Sequence, residues 1–526
     1  MTTTMVECRD GHSARRPRLA PLAAAVAMLL ASEAHAEWRV VPAVTLTERY
    51  TDNFWLESNA QKRSNVISEL TPTLALTGTG PRLTLNGTAQ WRNFKYRDEQ
   101  VRNTLDHSFE YALAGRATLA DEFLYVDASA TRAPSNISAF GPRVEDVPYL
   151  EANRTRVETW RISPYLERRF GPDASLTVRY ARDRVSGSEV AGYAATSGDS
   201  VSANLVSGPA FGKLGWSLAH MRQQLDDSIN GETSTQTTVG NLRYALTARL
   251  ALTASAGYDR YEFDRLGGDT AGRNWSLGVD WAPSLRTRVN AALGRHFYGQ
   301  TGQFSLMHRS RRTVWNLGYD DIVTTSREQF LLPAAIDTSA MLDRLFSTTI
   351  IDPAARQQAV AAYIRANGLP LSLADSINFL SNRYFRQKGF QGSMAFRLPR
   401  TSGLLALYDN ERIALSNQQS DSALLGSQQR GLNDNVRQRG ANASVNYRLN
   451  TRTSAVASAS WSRSRSVTTD FDDLRRDFRI GLSRELSRHA RATLDLRRSA
   501  GTRGVFGPAA SPYQEHSISA SLSAEL

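Results

Sequence analysis

The 526-residue sequence contains one cysteine, Cys8, and only four lysines, Lys62, Lys95, Lys213 and Lys388. Cys8 precedes the apolar run "LAPLAAAVAMLL", which has the form of a secretory h-region, so the exported chain holds no thiol. That excludes disulfides, thiolate catalysis and cysteine–metal sites. Beyond residue 36 no apolar run reaches 18 residues, which excludes a transmembrane helix. Histidine is sparse as well. His107, His220, His296, His308, His489 and His516 include no pair at helical metal-ligand spacing, although His296 and His308 fall on consecutive predicted strands and could approach each other. No serine sits in a nucleophile elbow, and glycine runs such as "GTGPR" precede no helix, so they read as turns. The sequence nominates no catalytic residue, no metal ligand and no cofactor, and the chain is read as a non-enzyme.

What is present begins with a leader. Arg15, Arg16 and Arg18 form a basic n-region, and "AHA" at 34–36 is a small-residue cleavage site. Residues 1–36 are read as a signal peptide for ordinary Sec export, and Glu37 as the mature start. The full chain carries +12, nearly all of the excess being arginine. In an exported chain this charge points to lipid headgroups, lipopolysaccharide phosphate or an anionic polymer, and not to nucleic acid.

The dominant pattern is strict two-residue alternation. "LTLNGTAQW" puts Leu83, Leu85, Gly87, Ala89 and Trp91 on one face, and "WSLGVDW" does the same with Trp275, Leu277, Val279 and Trp281. "ISASLSAEL" carries the period to Leu526, the last residue. Such runs are strands. The links between them are short at one end ("FGPD", "PSLRT", "LNTR") and long at the other ("DNFWLESNAQKRS", "APSNISAFGPRVEDVPYLEANR"). Strands of about ten residues with this asymmetry describe an all-β, transmembrane antiparallel barrel of the bacterial outer membrane, here of about 22 strands over residues 37–526. Closure onto "WRVVPAVTLTERY" explains the clean final strand, whose end also serves as a signal to the barrel-assembly machinery. Trp91, Trp160, Trp216, Trp275, Trp281 and Trp461 fall on the apolar phase, as an aromatic girdle requires.

Residues 333–383 break the alternation and read as a helical insertion. Asp352 and Pro353 form a helix start, Val360, Tyr363 and Ile364 an apolar stripe, and Gly368 a stop. On the long-loop side these helices would cap the barrel or constrict it as a gate. On the polar phase lie Arg92, Arg179, Arg243, Arg479, Arg491 and Arg497. They are expected to face the lumen, where they would contact an anionic polymer through forked donors. Asp259, Glu485 and Asp495 would alternatively neutralise them in ion networks.

Five stretches resemble one family, the PEP-CTERM system-associated outer membrane proteins. They are "WRVVPAVTLTERYTDN", "NRTRVETWRISPYLERRFG", "WAPSLRTRVNAALGRHFYGQTGQFSLMHRSRR", "LFSTTIIDPAARQQAVAAYIRANGLPLSLADSINFL" and the closing strands. The resemblance spans nearly the whole mature chain. It implies a barrel linked to exopolysaccharide biosynthesis and exosortase sorting, with no assigned reaction. The expected function is export or surface assembly of an exopolysaccharide through a gated pore. The alternatives are a non-conducting barrel that tethers polysaccharide by its outer loops, and an outer-membrane hydrolase. An importer with an N-terminal plug is disfavoured, because the first strand starts near Trp38. The expected partners are outer-membrane lipid, lipopolysaccharide and an anionic polysaccharide.

Overall fold

The computed structural model describes residues 37–98, 102–187, 195–227, 231–263, 270–331, 381, 383–416, 435–469, 471–502 and 511–526. The expected gate residues Asp352, Pro353, Val360, Tyr363, Ile364 and Gly368 lie outside them, as does nearly all of the 333–383 insertion and the whole of the leader.

The chain forms one closed sheet of 22 antiparallel strands. In order they are β1 (Glu37–Thr51), β2 (Asn65–Thr79), β3 (Leu83–Tyr96), β4 (His107–Ala120), β5 (Leu124–Asn136), β6 (Arg154–Phe170) and β7 (Ala174–Ser186). Next come β8 (Thr196–Ser207), β9 (Leu214–Asp227), β10 (Gly231–Ala245), β11 (Leu250–Glu262), β12 (Ala271–Ser284), β13 (Thr287–His296), β14 (Gly299–Arg309) and β15 (Thr313–Thr325). A short helix, α1 (Ser326–Leu331), follows β15. The circuit ends with β16 (Tyr384–Arg397), β17 (Thr401–Ala414), β18 (Asn435–Arg448), β19 (Thr453–Ser466), β20 (Asp472–Glu485), β21 (Ala490–Thr502) and β22 (Pro512–Glu525). β22 pairs with β1 from Ala43–Glu525 to Thr51–Ser517, and the Leu526 N–H donates to the Pro42 carbonyl at 2.9 Å. The alternation at the chain end is therefore paired to its last residue.

Alternation sorts the wall into two faces. The outward phase carries exposed leucines and tryptophans, among them Leu74, Leu252, Leu277, Leu293 and Leu496. Its tryptophans fall into two rings. Trp38, Trp216, Trp281 and Trp315 sit at the strand ends near the chain termini, and Trp91, Trp160, Trp275 and Trp461 lie farther along. With a strand rise of about 3.3 Å per residue and a tilt of about 40°, the rings stand roughly 15–18 Å apart, within the apolar band of an outer-membrane barrel. At the lower ring Trp38 covers Gly78, its direct partner across β1–β2; a Cβ on Gly78 would lie 2.4 Å from the indole. Above the upper ring the outward phase turns charged, with ion pairs such as Arg437–Asp409 (2.7 Å) and Arg260–Glu262 (2.8 Å). That charged crown belongs at the outer, headgroup side.

The turns beside the termini are short throughout, as at 80–82, 285–286 and 449–452. By the rule for such barrels this is the periplasmic end. The long connections 52–64 and 137–153 begin at the opposite end, as does the described start of the link after β15.

One seam interrupts the ladder. β14 pairs with β15 only between Phe304–Tyr319 and Arg309–Val314, whereas β15 continues paired with β16 up to Thr325–Tyr384. The outer halves of β15 and β16 thus leave the wall together. A side chain takes over from the missing backbone bonds. Arg386 donates to both Asp321 oxygens (2.7 and 2.6 Å), to the Gln300 carbonyl (2.6 Å) and to the Tyr298 carbonyl (3.3 Å). Its guanidinium also lies 5.2 Å from the Tyr298 ring centre. Asp321 is buried, so removing its partner strands a charge at a cost of about 3–5 kcal/mol. Arg386→Ala is expected to raise hydrogen exchange at 299–303 and 320–325 at least ten-fold while strands on the far side keep their protection. Unchanged exchange at the seam would show that Arg386 does not hold it.

Candidate functional site: a lumen closed by an inward loop

The connection between β5 and β6, residues 137–153, carries Ile137, Phe140, Val144, Val147, Tyr149 and Leu150, all buried. It folds into the barrel. Asn153 shapes it from one position: its Nδ2 donates to the carbonyls of Ser138 (3.1 Å) and Pro142 (3.0 Å), and its Oδ1 accepts the Ser138 N–H (2.8 Å). The Asn153 backbone is left-handed, with φ +56°, a conformation that asparagine tolerates well.

The loop docks against β18–β21 through charge and apolar contact together. Arg475 on β20 donates to Asp146 at 3.1 Å and to the Gly141 carbonyl, while Asp473 accepts the Gly141 N–H at 3.1 Å. Arg497 on β21 meets the Asp146 carboxylate at 2.9 Å and its carbonyl at 2.8 Å. Arg143 donates to Ser462 at 2.8 Å. Phe140 packs edge-on to Phe471 and against Val436. Toward the first strands, Tyr149 stacks on Phe54 of the 52–64 loop at 4.9 Å between ring centres, in one buried cluster with Leu56, Ile67, Phe94 and Tyr513. The Leu105 N–H donates to the Tyr149 carbonyl, which ties in the next loop. Three connections are thus interlocked inside the outer half of the lumen.

A fourth segment arrives from the opposite wall. Thr325 accepts the Glu328 N–H and Thr324 donates to the Glu328 carboxylate, a capping arrangement that starts α1. α1 places Arg327 on Asp183 of β7, and packs Phe330 and Leu331 on Ile137, Val157 and Val185. Gln329 accepts from Arg412, whose guanidinium lies 3.9 Å from the Phe385 ring centre. This helix precedes the expected helical segment and was not apparent from its sequence.

All six arginines expected in the lumen occupy the inward phase, and each has a carboxylate partner. Arg92 meets Glu69 (3.7 Å), Arg179 meets Asp127 (3.0 Å), Arg243 meets Asp280 (3.2 Å), and Arg491 meets Glu485 (3.1 Å). Arg479 pairs with Asp495 (2.8 Å), and Arg497 bridges Asp477 and Asp146. Arg179 also stacks on Tyr165 at 3.9 Å and donates to Ser163. The ion-network arrangement is thus what the geometry contains, with Glu485 and Asp495 among its members. Asp259 instead accepts from or pairs with His296 at 2.7 Å. His308 bonds Thr287 and falls on the outward phase, so the two histidines do not meet. Between these pairs the inward phase of β19–β22 is mostly hydroxyl-bearing, with Ser458, Ser460, Ser517, Ser519 and Ser521.

No family model matches the sequence, and no curated protein matches it. Solved structures that resemble it include the siderophore receptor PirA from Pseudomonas aeruginosa, at 10% identity over 93% of this chain and 80% of that one, with a TM-score of 0.43. The FrpB iron transporter from Neisseria meningitidis gives 9% identity, 92% and 82% coverage and a TM-score of 0.48. At these values the likeness concerns the barrel fold alone.

Burial would raise the Asp146 carboxyl, but Arg497, Arg475 and Arg143 outweigh it and hold its pKa below the ordinary value. A depressed carboxylate stabilises docking above its unfolded pKa of about 4, and the contribution disappears as pH falls through the lower folded value. The loop is therefore expected to keep its protection from hydrogen exchange between pH 8 and 5, and to lose it below about pH 4. Asp146→Asn should weaken docking already at pH 7, by roughly 2–3 kcal/mol. Equal loop protection in the variant and the native protein at pH 7 would refute the latch.

Proposed function

We propose that this protein is a gated outer-membrane pore that takes part in export or surface assembly of an exopolysaccharide. The observation that carries the reading is the docked 137–153 loop: a chain segment, not the wall, occupies the outer lumen, and ion pairs at Asp146 help to hold it there. A barrel of this strand number encloses a lumen that must be filled or gated. Filling it with a separable loop leaves a route that opens when the loop moves. The paired arginines and hydroxyls of the wall suit a hydrated, polar cargo, and lumen charge sets selectivity in wide pores. The polysaccharide class comes from the sequence resemblance to the PEP-CTERM-associated barrels, and cargo chemistry consistent with it is found in the wall.

The second reading, a closed barrel that tethers polymer at its outer loops, is favoured by the interlocking of three loops with α1. Single-channel conductance separates the two. The refolded native barrel is expected to show small, flickering openings, and deletion of 139–151 to raise conductance several-fold. Silence from both proteins would replace the pore by the tether.

A further inference from the structure

The arginines of the wall are paired, but those at the inner mouth are arranged differently. Beside the turns 398–400 and 449–452 lies a concave pocket of about 340 Å³, lined by Arg397, Arg400, Arg448, Arg452 and Arg491. Glu485 is the only carboxylate among its described lining residues, and it is engaged by Arg491 at 3.1 Å. Among the described residues Arg400, Arg448 and Arg452 have no carboxylate partner, and Arg448 donates only to the Pro399 carbonyl at 2.8 Å. The pocket opens toward the lumen, because Ser402, Asn446, Ser454 and Ser483 of its lining belong to the inward phase.

The charge extends along the rim. The residue just before each rising strand, whose carbonyl accepts an N–H from the neighbouring strand, is basic in successive turns: Arg249, Arg286, Arg312, Arg400, Arg452 and His489. On the opposite side of the rim the same position holds Phe123 and Asp173 beside Arg82 and Lys213. One half of the inner mouth is thus a cationic arc centred on a pocket. Like charges gathered in a concavity, where counter-charges are missing, lower the potential energy of an arriving anion and raise its local concentration. Guanidinium forks match carboxylate and phosphate groups in two-point contact.

We propose that this pocket and its flanking arc bind an anionic glycan chain as it reaches the inner mouth from the periplasm. Three features select this ligand. The row of charges is longer than a single small anion needs. Serine and asparagine side chains stand beside the guanidiniums, where sugar hydroxyls would bond. A phospholipid would need an apolar groove for its acyl chains, and the lining offers only Leu398 and Pro399. The site deepens the pore reading, on which it rests for the direction of travel, but binding itself does not require conduction.

The test uses the refolded mature barrel in zwitterionic nanodiscs, with oligogalacturonate as the carboxylate-bearing probe and a size-matched dextran as the neutral control. Titration calorimetry should show salt-sensitive binding of oligogalacturonate and none of dextran. The triple substitution Arg400→Ala, Arg448→Ala and Arg452→Ala should weaken binding at least ten-fold, and the matching lysine triple should retain part of it. Heat-modifiability on gels reports that each variant is folded, and Arg260→Ala, in the outward-facing crown at the far end, should leave affinity unchanged. In planar bilayers the probe should reduce current from the periplasmic side alone. If the channel is silent yet calorimetry shows the expected loss, the pore reading fails and the binding site stands. Equal affinity for dextran, no loss in the alanine triple, or complete competition by phosphatidylglycerol nanodiscs, which would mark a lipid-headgroup site, overturns the proposal.

Discussion

Hydrogen-bond closure of β1 on β22 is the constraint from which the rest of the molecule follows. Inside a bilayer no water relieves an unpaired backbone group, so a sheet is tolerated there only as a ring. Once Ala43–Thr51 and Ser517–Glu525 are joined, every residue of a strand is committed to one of two solvents, lipid outside or lumen inside. The two tryptophan rings and the leucines between them belong to the first; the serines, threonines and ion pairs belong to the second. Where the ring is thinnest, at β14–β15, the same demand is met by a side chain, with Arg386 donating to the carbonyls that a continuous ladder would have engaged.

A ring this wide creates a second problem, an interior too large for wall side chains to fill. The chain solves it with its own connections. Residues 52–64 and 137–153 bring aromatic and aliphatic groups inside, where they make a small core of their own around Phe54 and Tyr149. Such a core must still be anchored to a polar wall, and Asp146 does so by placing one carboxylate between two guanidiniums. Apolar contact supplies cohesion among the loops, and charge supplies their position. The loops hold their place in the lumen because both are satisfied together.

Arginine serves two distinct ends in the same lumen. On the strands, Arg92, Arg179, Arg243, Arg479 and Arg497 each face a carboxylate one or two strands away, an arrangement that cancels charge and stiffens the wall. At the inner turns, Arg400, Arg448 and Arg452 stand together with no carboxylate partner among the described residues. The difference matters because a paired guanidinium in a half-hydrated wall attracts a passing anion weakly, whereas an unpaired cluster in a concavity attracts it strongly.

The barrel was legible in the sequence because its signal is local. Period-two alternation from Leu83 to Trp91, or from Ile518 to Leu526, reports on two faces and requires no knowledge of neighbours. The alternation of short and long links, repeated around the chain, then gives polarity and a strand count near 22, which the closed sheet makes exact, and the inward phase of all six arginines follows from parity. Their partners were legible only in part. Asp495 and Glu485 lie on strands adjacent to their arginines, but Asp146 is distant in sequence and becomes a partner only when its loop turns inward. The buried Phe140, Val147 and Tyr149 were a hint, being too apolar for an outer loop, yet nothing local says where such a loop goes. Alternation along the chain was determined by the sequence itself, since each strand must present one face to lipid. The filling of the lumen, the seam at Arg386 and the cationic pocket were decided by tertiary structure, because they depend on which distant strands closure brings to face one another.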